Sequence, residues 1–413
     1  MDFSSLWIWK YMKDDLRWYY KVATNRKPAK YLIAKRVGVD YSDDDKLEEL
    51  WSKFYNALPK FLSLWKDVDE GKEDITKLEI PKVSLLDLMV SIVRKWLYSC
   101  SFCRWRCRVN RVEGKKYGAC MLDTESRVGA YFHHRGEELV FRGVKGSGTI
   151  FFTSCNMRCA FCQNGDISTD KYNGVRVTPR DLAYMMKELR LEGVHNINLV
   201  GGEPTIHLHT IIEAIDILAR EGFSVYPENY EFESVKYDSF INYPISRESA
   251  SYKGELNVPI LWNSNFYMSD EALNLLRVVV DIWLPDFKYG NDKCALRLSR
   301  TPWYVETVTK NLKTVRDWGE NMVIRHLIMP NHVYDDTFPV LDWIAKNMPE
   351  VWVNIMDQYH PDNFADPNSP KFRGEYKDIA RYPTEEEINE AWNYARKLGL
   401  KFDVVTFEKR LLL

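Results

Sequence analysis

From Gly146 onward, short apolar runs alternate with stretches of helical period, and this alternation most narrows the folds open to the chain. The runs TIFFTS (149–154), INLV (197–200), PILWN (259–263), VVDIWLP (279–285), VIRHLIM (323–329) and VWVNIM (351–356) have the length and composition of strands. Between them lie helical patterns near 269–277, 302–317 and 334–347, and one from about His209 to Arg220 that stops at Gly222. Two further helices are announced by capping boxes, Thr178 with Asp181 and Pro179 at the first position, and Thr384 with Glu387. Six β-α units in a row predict an α/β fold with a parallel sheet, open or curled into a barrel. Chemistry in such sheets collects at the carboxyl ends of the strands. Residues 224–257 fit no unit and read as an insertion running over the sheet.

The organisation expected is a helical region over 1–99, a cysteine-rich metal-binding segment over 100–145, and the α/β unit over 146–413. In the first region Leu47, Leu50, Trp51, Phe54 and Leu58 repeat at helical spacing, as do Leu85, Leu88, Val93 and Leu97. Lys10 to Arg36 holds nine Lys or Arg against two Asp, interleaved with Trp18, Tyr19, Tyr20 and Tyr31. A nucleic-acid-facing patch would look like this. The reading preferred here is a solvated helix face, neutralised by the acidic run Asp40 to Glu49. Formal net charge is -2, so no global field points to nucleic acid or to a membrane surface. No apolar run reaches the ~20 residues of a membrane span, and Lys10, Lys13, Asp14 and Asp15 interrupt any signal-peptide core. A cytoplasmic protein is expected.

Seven of the eight cysteines fall into two tight groups, a spacing that favours metal ligation over disulfides. Cys155-x3-Cys159-x2-Cys162 sits in a short loop after a strand. Three thiolates there can hold three corners of an iron-sulfur cube and leave the fourth iron open, as catalytic metal sites do. A zinc loop borrowing His133 or His134 is the bland alternative. One unit later, Gly201-Gly202-Glu203-Pro204 ends a strand where glycines let the backbone approach a ligand and Glu203 can accept from an ammonium group. His207 and His209 begin the next helix and line the pocket. The strand ends LWNSNFYMS, with Asn263 and Asn265, DIWLPDFKYG, with Asp286 and Lys288, and VIRHLIMPNH, with Arg325, add polar candidates. Upstream, Cys100, Cys103, Cys107 and Cys120 supply four thiolates, enough for a closed zinc site or a fully ligated [4Fe-4S] cluster. The cations around them (Arg104, Arg106, Arg108, Arg111, Lys115, Lys116) suit the negative charge of such a site. Cys294 stands alone as a small buried apolar residue.

The triplet, with Phe161 before its last cysteine, resembles the signature of the radical S-adenosylmethionine (SAM) superfamily. The order of motifs over about residues 85–400 is most similar to the PflX-type group, relatives of pyruvate formate-lyase activating enzyme. That resemblance implies a partial (β/α)6 radical SAM barrel and a [4Fe-4S] cluster on Cys155, Cys159 and Cys162. It also implies SAM held by Gly201, Gly202, Glu203, Pro204 and Arg325, and the D-x-K pair Asp286 and Lys288 of activating enzymes. Phe161, Asn263 and Asn265 join these as cofactor-binding candidates. The activity implied is reductive cleavage of SAM and hydrogen abstraction, an oxidoreductase reaction that activates a glycyl radical partner and is fed by a flavodoxin- or ferredoxin-type electron donor. Radical modification of RNA, a peptide or a small molecule is the second enzymatic reading, and a non-enzymatic iron-sulfur or zinc protein the third. The chain departs from the group at Arg104, where a proline is usual, and at Tyr334-Asp335-Asp336, where a cysteine pair is common.

Overall fold

The computed structural model describes residues 3–238 and 243–408; positions 239–242 of the 224–257 insertion lie outside them. The strands are β1 (Ser126–His134), β2 (Ser147–Phe152), β3 (Val175–Val177), β4 (Ile197–Gly201), β5 (Ser251–Tyr252), β6 (Glu255–Leu256), β7 (Ile260–Ser264), β8 (Ile282–Pro285), β9 (Val323–Leu327) and β10 (Trp352–Met356). β2, β4, β7 and β8 run parallel in that order, and β9 and β10 form a parallel pair. Parallel bridges Trp283↔Met322 and Asp286↔Arg325 join β8 to β9, so six parallel strands form one arc. The arc is curled. Asn198 of β4 donates to Glu137 (2.6 Å), Arg325 of β9 donates to the same carboxylate (3.3 Å), and Asn354 of β10 donates to Glu138 (2.8 Å). Side chains from across the sheet therefore meet inside it, as in a partial barrel. All five residues of β7 are buried, as a strand covered on both faces requires.

All six strands expected from the sequence are present, with ends trimmed. The run 279–285 shortens to Ile282–Pro285 because Val278, Val279 and Val280 close the end of the preceding helix, Asp270–Arg277. Both capping boxes form: Asp181 N donates to Thr178 Oγ1 (3.2 Å) and Glu387 N to Thr384 Oγ1 (3.2 Å). The pattern at 334–347 resolves into a π-helical turn, Val333–Thr337, followed by the helix Phe338–Asn347. β1, which pairs antiparallel with β2 and with β3, was not among the expected strands. Its inward positions alternate, but Gly129, His133 and His134 hide that pattern in the letters.

The basic N-terminal stretch is a solvated face only in part: Lys10, Lys13, Arg17 and Arg26 are exposed, but the rest of it packs inward. Trp18, Tyr19 and Tyr31 are buried, with Trp18 Nε1 donating to Asp281 (2.8 Å) and Tyr31 to the Leu256 carbonyl (2.7 Å). Lys30 is fully buried in an ion pair with Glu320 (2.6 Å), and Arg36 pairs with Glu255. These cations are therefore neutralised from the barrel side instead of by Asp40 to Glu49. A buried ion broken on one side leaves an uncompensated charge. Lys30→Met is expected to lower unfolding free energy by about 3 kcal/mol, the low end for a broken buried pair, because Arg277 stays 3.8 Å from Glu320. Urea denaturation of the two proteins checks this.

Among the described residues no helix is long and apolar enough to cross a membrane.

Candidate active site

A cavity of about 380 Å³ opens at the carboxyl ends of the parallel strands and runs into the arc. Cys155, Cys159, Phe161, Cys162, Gly201, Gly202, Glu203, Asn263, Asn265, Asp286, Lys288 and Arg325 all line it. Pro204 does not; it starts the turn Pro204–His207 that leads away from the cavity. Residues from Cys155 to Arg325 thus meet in one chamber, because they lie on the carboxyl halves of the parallel strands or in the loops that follow them.

The triplet loop follows β2. The Met157 amide points at Cys155 Sγ (3.3 Å), Asn265 Nδ2 lies 3.7 Å from the same sulfur, and Ser168 Oγ lies 3.3 Å from Cys162 Sγ. Donors placed around thiols in this way suit thiolates. Burial nevertheless pushes all three thiols up, Cys159 to about 11, so a bound cation must supply the charge that makes them ligands. The three sulfurs do not all lie within 4.8 Å of one another, which is wide for a single ion. Neither histidine of the zinc alternative completes the set. His133 is engaged at both ring nitrogens, by the Lys145 carbonyl and by Glu192 (both 2.8 Å), and His134 lies 3.5 Å from Glu137. Three soft donors with no fourth protein ligand fit a [4Fe-4S] cluster with one open iron.

Glu203 is fixed before any ligand arrives. Its Oε1 accepts from Thr205 N (3.1 Å), Thr205 Oγ1 (2.5 Å) and Ser264 Oγ (2.7 Å), and its Oε2 from Asn265 N (2.9 Å). Burial still raises this carboxyl, so a cationic ligand group would be needed to balance it. Gly201 adopts φ +117°, and a Cβ there would sit 2.3 Å from Phe152 N. Asp286 joins Lys288 (2.7 Å) and Arg325 (3.0 Å). Burial works to raise Asp286, but Lys288 and then Arg325 outweigh it and hold the carboxylate below its ordinary range.

The sequence reading missed the inner end of the cavity, lined by His134, Glu137, Glu138 and Asn354. Burial and the charge of Glu137 push Glu138 up to about 8. On Glu137 burial acts in the same direction, but His134 and Arg325 outweigh it and keep it ionised. Glu138 thus holds its proton more tightly than an ordinary carboxyl, and among the described residues its Oε2 has no hydrogen-bond partner. The available signal was two adjacent carboxylates leading straight into the apolar run Leu139-Val140-Phe141. His207 and His209 do not line the cavity. His207 bridges Ser126 Oγ (2.9 Å) and the Thr153 carbonyl (2.8 Å), and His209 holds the Thr124 carbonyl (2.9 Å).

Cys294 is buried but is not merely apolar. It receives Asn291 Nδ2 (3.2 Å) and lies 3.7 Å from His332 Nδ1, which also contacts Asp336 (2.6 Å). Arg297 donates to His332 Nε2 (2.9 Å). A guanidinium cannot accept, so the ring proton is on Nδ1, directed at Asp336, and that nitrogen has no lone pair for a metal.

A parallel α/β arc with a three-thiol loop at its first strand end and an anchored carboxylate at the next defines an enzyme class with a cluster-bound cofactor. The family description "Radical SAM superfamily" matches residues 149–344, so this part of the chain is a radical SAM domain. An uncharacterized protein of Methanocaldococcus jannaschii is 35% identical over 388 residues, 92% of this chain and 97% of its own length. Similar solved structures include SuiB of Streptococcus suis bound to S-adenosylmethionine, with a TM-score of 0.39 and 12% identity over 60% of this chain and 48% of SuiB. A domain of a pyruvate-formate lyase-activating enzyme from Bacteroides vulgatus has a TM-score of 0.27 and 15% identity over 35% of this chain and 80% of that one. The chain spans about half the length of SuiB.

Proposed function

We propose that the chain is a radical SAM enzyme that activates a partner protein by taking a hydrogen atom from one of its glycines. The radical SAM domain supports SAM-dependent radical chemistry. The observation carrying the finer step is the Asp286–Lys288–Arg325 array, a D-x-K pair tied to a strand arginine and set in the same chamber as the triplet.

Cys155, Cys159 and Cys162 would hold the cluster, and the chamber beside them, lined by Gly201, Gly202 and Glu203, would hold SAM. A cluster and SAM bound there would supply radical chemistry, one-electron cleavage of the sulfonium bond furnishing the power to take a hydrogen atom from substrate. The chain's own residues bind and orient. Glu203, held by four donors, receives the ammonium group without reorganising. Asp286 fixes the Arg325 and Lys288 side chains, so two cations face the chamber at set positions.

The test is anaerobic reconstitution with iron and sulfide, then dithionite and SAM, with 5′-deoxyadenosine measured by mass spectrometry. Product is expected at several turnovers, and none above background would overturn the enzyme reading. With a co-purifying partner, a glycyl radical doublet is expected by electron paramagnetic resonance (EPR). SAM cleavage coupled to a modified nucleoside, peptide or small molecule, with no glycyl radical, would overturn the activation reading.

A further inference from the structure

We infer that Cys100, Cys103, Cys107 and Cys120 hold a second, fully ligated [4Fe-4S] cluster that passes electrons to the triplet. The four thiols line one small pocket together with Arg111, Gly118 and Ala119. The segment folds back on itself to bring them there, with Cys100 N donating to Val109 O (3.0 Å) and Arg108 N to Cys100 O (2.8 Å). The Ala119 amide points at Cys107 Sγ (3.5 Å). Gly118 makes room, since a Cβ there would stand 2.8 Å from that sulfur.

Two observations say what the pocket takes. Arg111 is only 1% exposed, its Nη1 lies 3.9 Å from Cys100 Sγ, and its Nη2 has no hydrogen-bond partner. Its hydrogen bonds go to neutral carbonyls, those of Asp123 (2.7 Å) and Ile206 (2.8 Å), and a buried guanidinium lining the pocket without a carboxylate partner calls for a negatively charged group there. Spacing then separates the candidates. A single zinc, with Zn–S of about 2.3 Å, holds its sulfurs about 3.8 Å apart. Among the described residues, the one group of three potential ligand atoms lying within 4.8 Å of one another is Cys294, His332 and Asp336. No three of the four thiols are that close, and neither are those of the triplet. A cube in which each thiolate binds its own iron fits this wider set.

The role follows from what the pocket touches. Ser154, the residue before Cys155, donates its hydroxyl to the Cys120 carbonyl. Arg158 donates to the Ala119 carbonyl (2.8 Å), and Trp105 Nε1 to the Asn156 carbonyl (2.7 Å). One hydrogen bond and one peptide link therefore separate Cys120 from Cys155. On the far side Cys107 is exposed. One electron from a low-potential one-electron donor protein would reduce the closed cluster and move on to the triplet's cluster, returning the first to its oxidised state. No bond is made or broken.

The test uses the full chain, reconstituted anaerobically and analysed for metal. The triple variant C155A/C159A/C162A is expected to keep about four irons per chain and, once reduced, to show a [4Fe-4S] EPR signal that SAM does not change. Because this variant lacks the SAM site, the result is independent of the activation reading. Wild type with both clusters reduced should show magnetic broadening absent from the triple variant and from C103S/C107S. The gentler variant Gly118→Ala should lower iron retention at the quartet alone. One zinc per chain, or no metal in a triple variant that melts like wild type, would overturn the site. Two reduced clusters without magnetic interaction would overturn the relay.

Discussion

Replacing Cys159 with alanine is expected to reduce 5′-deoxyadenosine formation to background while leaving the protein folded. The small side chain sits partly buried at the edge of the core, with the Tyr289 hydroxyl 4.0 Å from its sulfur, so its removal leaves only a small void. Its cost as a thiol is also modest, because burial favours the protonated form in the absence of metal. The loss therefore falls on the cluster. Removing groups that merely support a metal ligand costs about 10–100-fold, so losing one of three ligands should exceed about 100-fold in activity. Iron content, circular dichroism and product yield measured on one preparation separate the outcomes. An alanine variant with full activity would remove Cys159 from the ligand set. A variant that fails to fold would assign it a structural role instead.

Gly202→Ala should be nearly as damaging, although residue 202 carries no chemistry. A Cβ at this position would fall 1.6 Å from the Ser154 carbonyl oxygen and 2.5 Å from its carbon. Both are backbone atoms, and Ser154 is held at φ +66° with its amide bonded to Ile167 O (2.8 Å). Relief must move either the loop that carries Cys155 or the turn that carries Glu203. Glu203 depends on four donors within hydrogen-bond reach, and losing even one such charge-assisted bond costs about 1.5–3 kcal/mol. The KM for SAM is expected to rise more than about tenfold, a step worth about 1.4 kcal/mol. Gly374→Ala is the control, since a Cβ there meets nothing within 4 Å. Unchanged KM in Gly202→Ala would mean that the two loops are not in register as described.

The barrel strands and the outer chamber were legible because their signals are local. A strand ending in Cys155 or in Gly201-Gly202-Glu203 carries its function next to its periodicity, and parallel topology then brings the ends together. What was not legible depends on distant partners. Lys30 looks solvated until Glu320, far along the chain, is seen to bury it. Glu137 and Glu138 look like surface carboxylates in the sequence, and only curling of the sheet places them beneath Arg325 and Asn354. β1 escaped notice because antiparallel pairing to β2 is specified by its partner and its burial more than by its own residues. Cys294 has no neighbouring cysteine, so its contact with His332 could come only from the fold.

All seven thiols of the triplet and the quartet fall between Cys100 and Cys162, in loops outside the regular strands and helices. Arg325 instead lies within β9, Asp286 directly follows β8, and Glu203 sits two residues past β4 in a turn pinned by four donors. Opening a loop is a local event of low free energy, whereas displacing a strand end requires disruption of the core. Iron can therefore leave and return while the cofactor cradle stays intact. Protein handled in air should lose its metal before its fold, and repair calls only for fresh iron and sulfide, with no chaperone and no refolding.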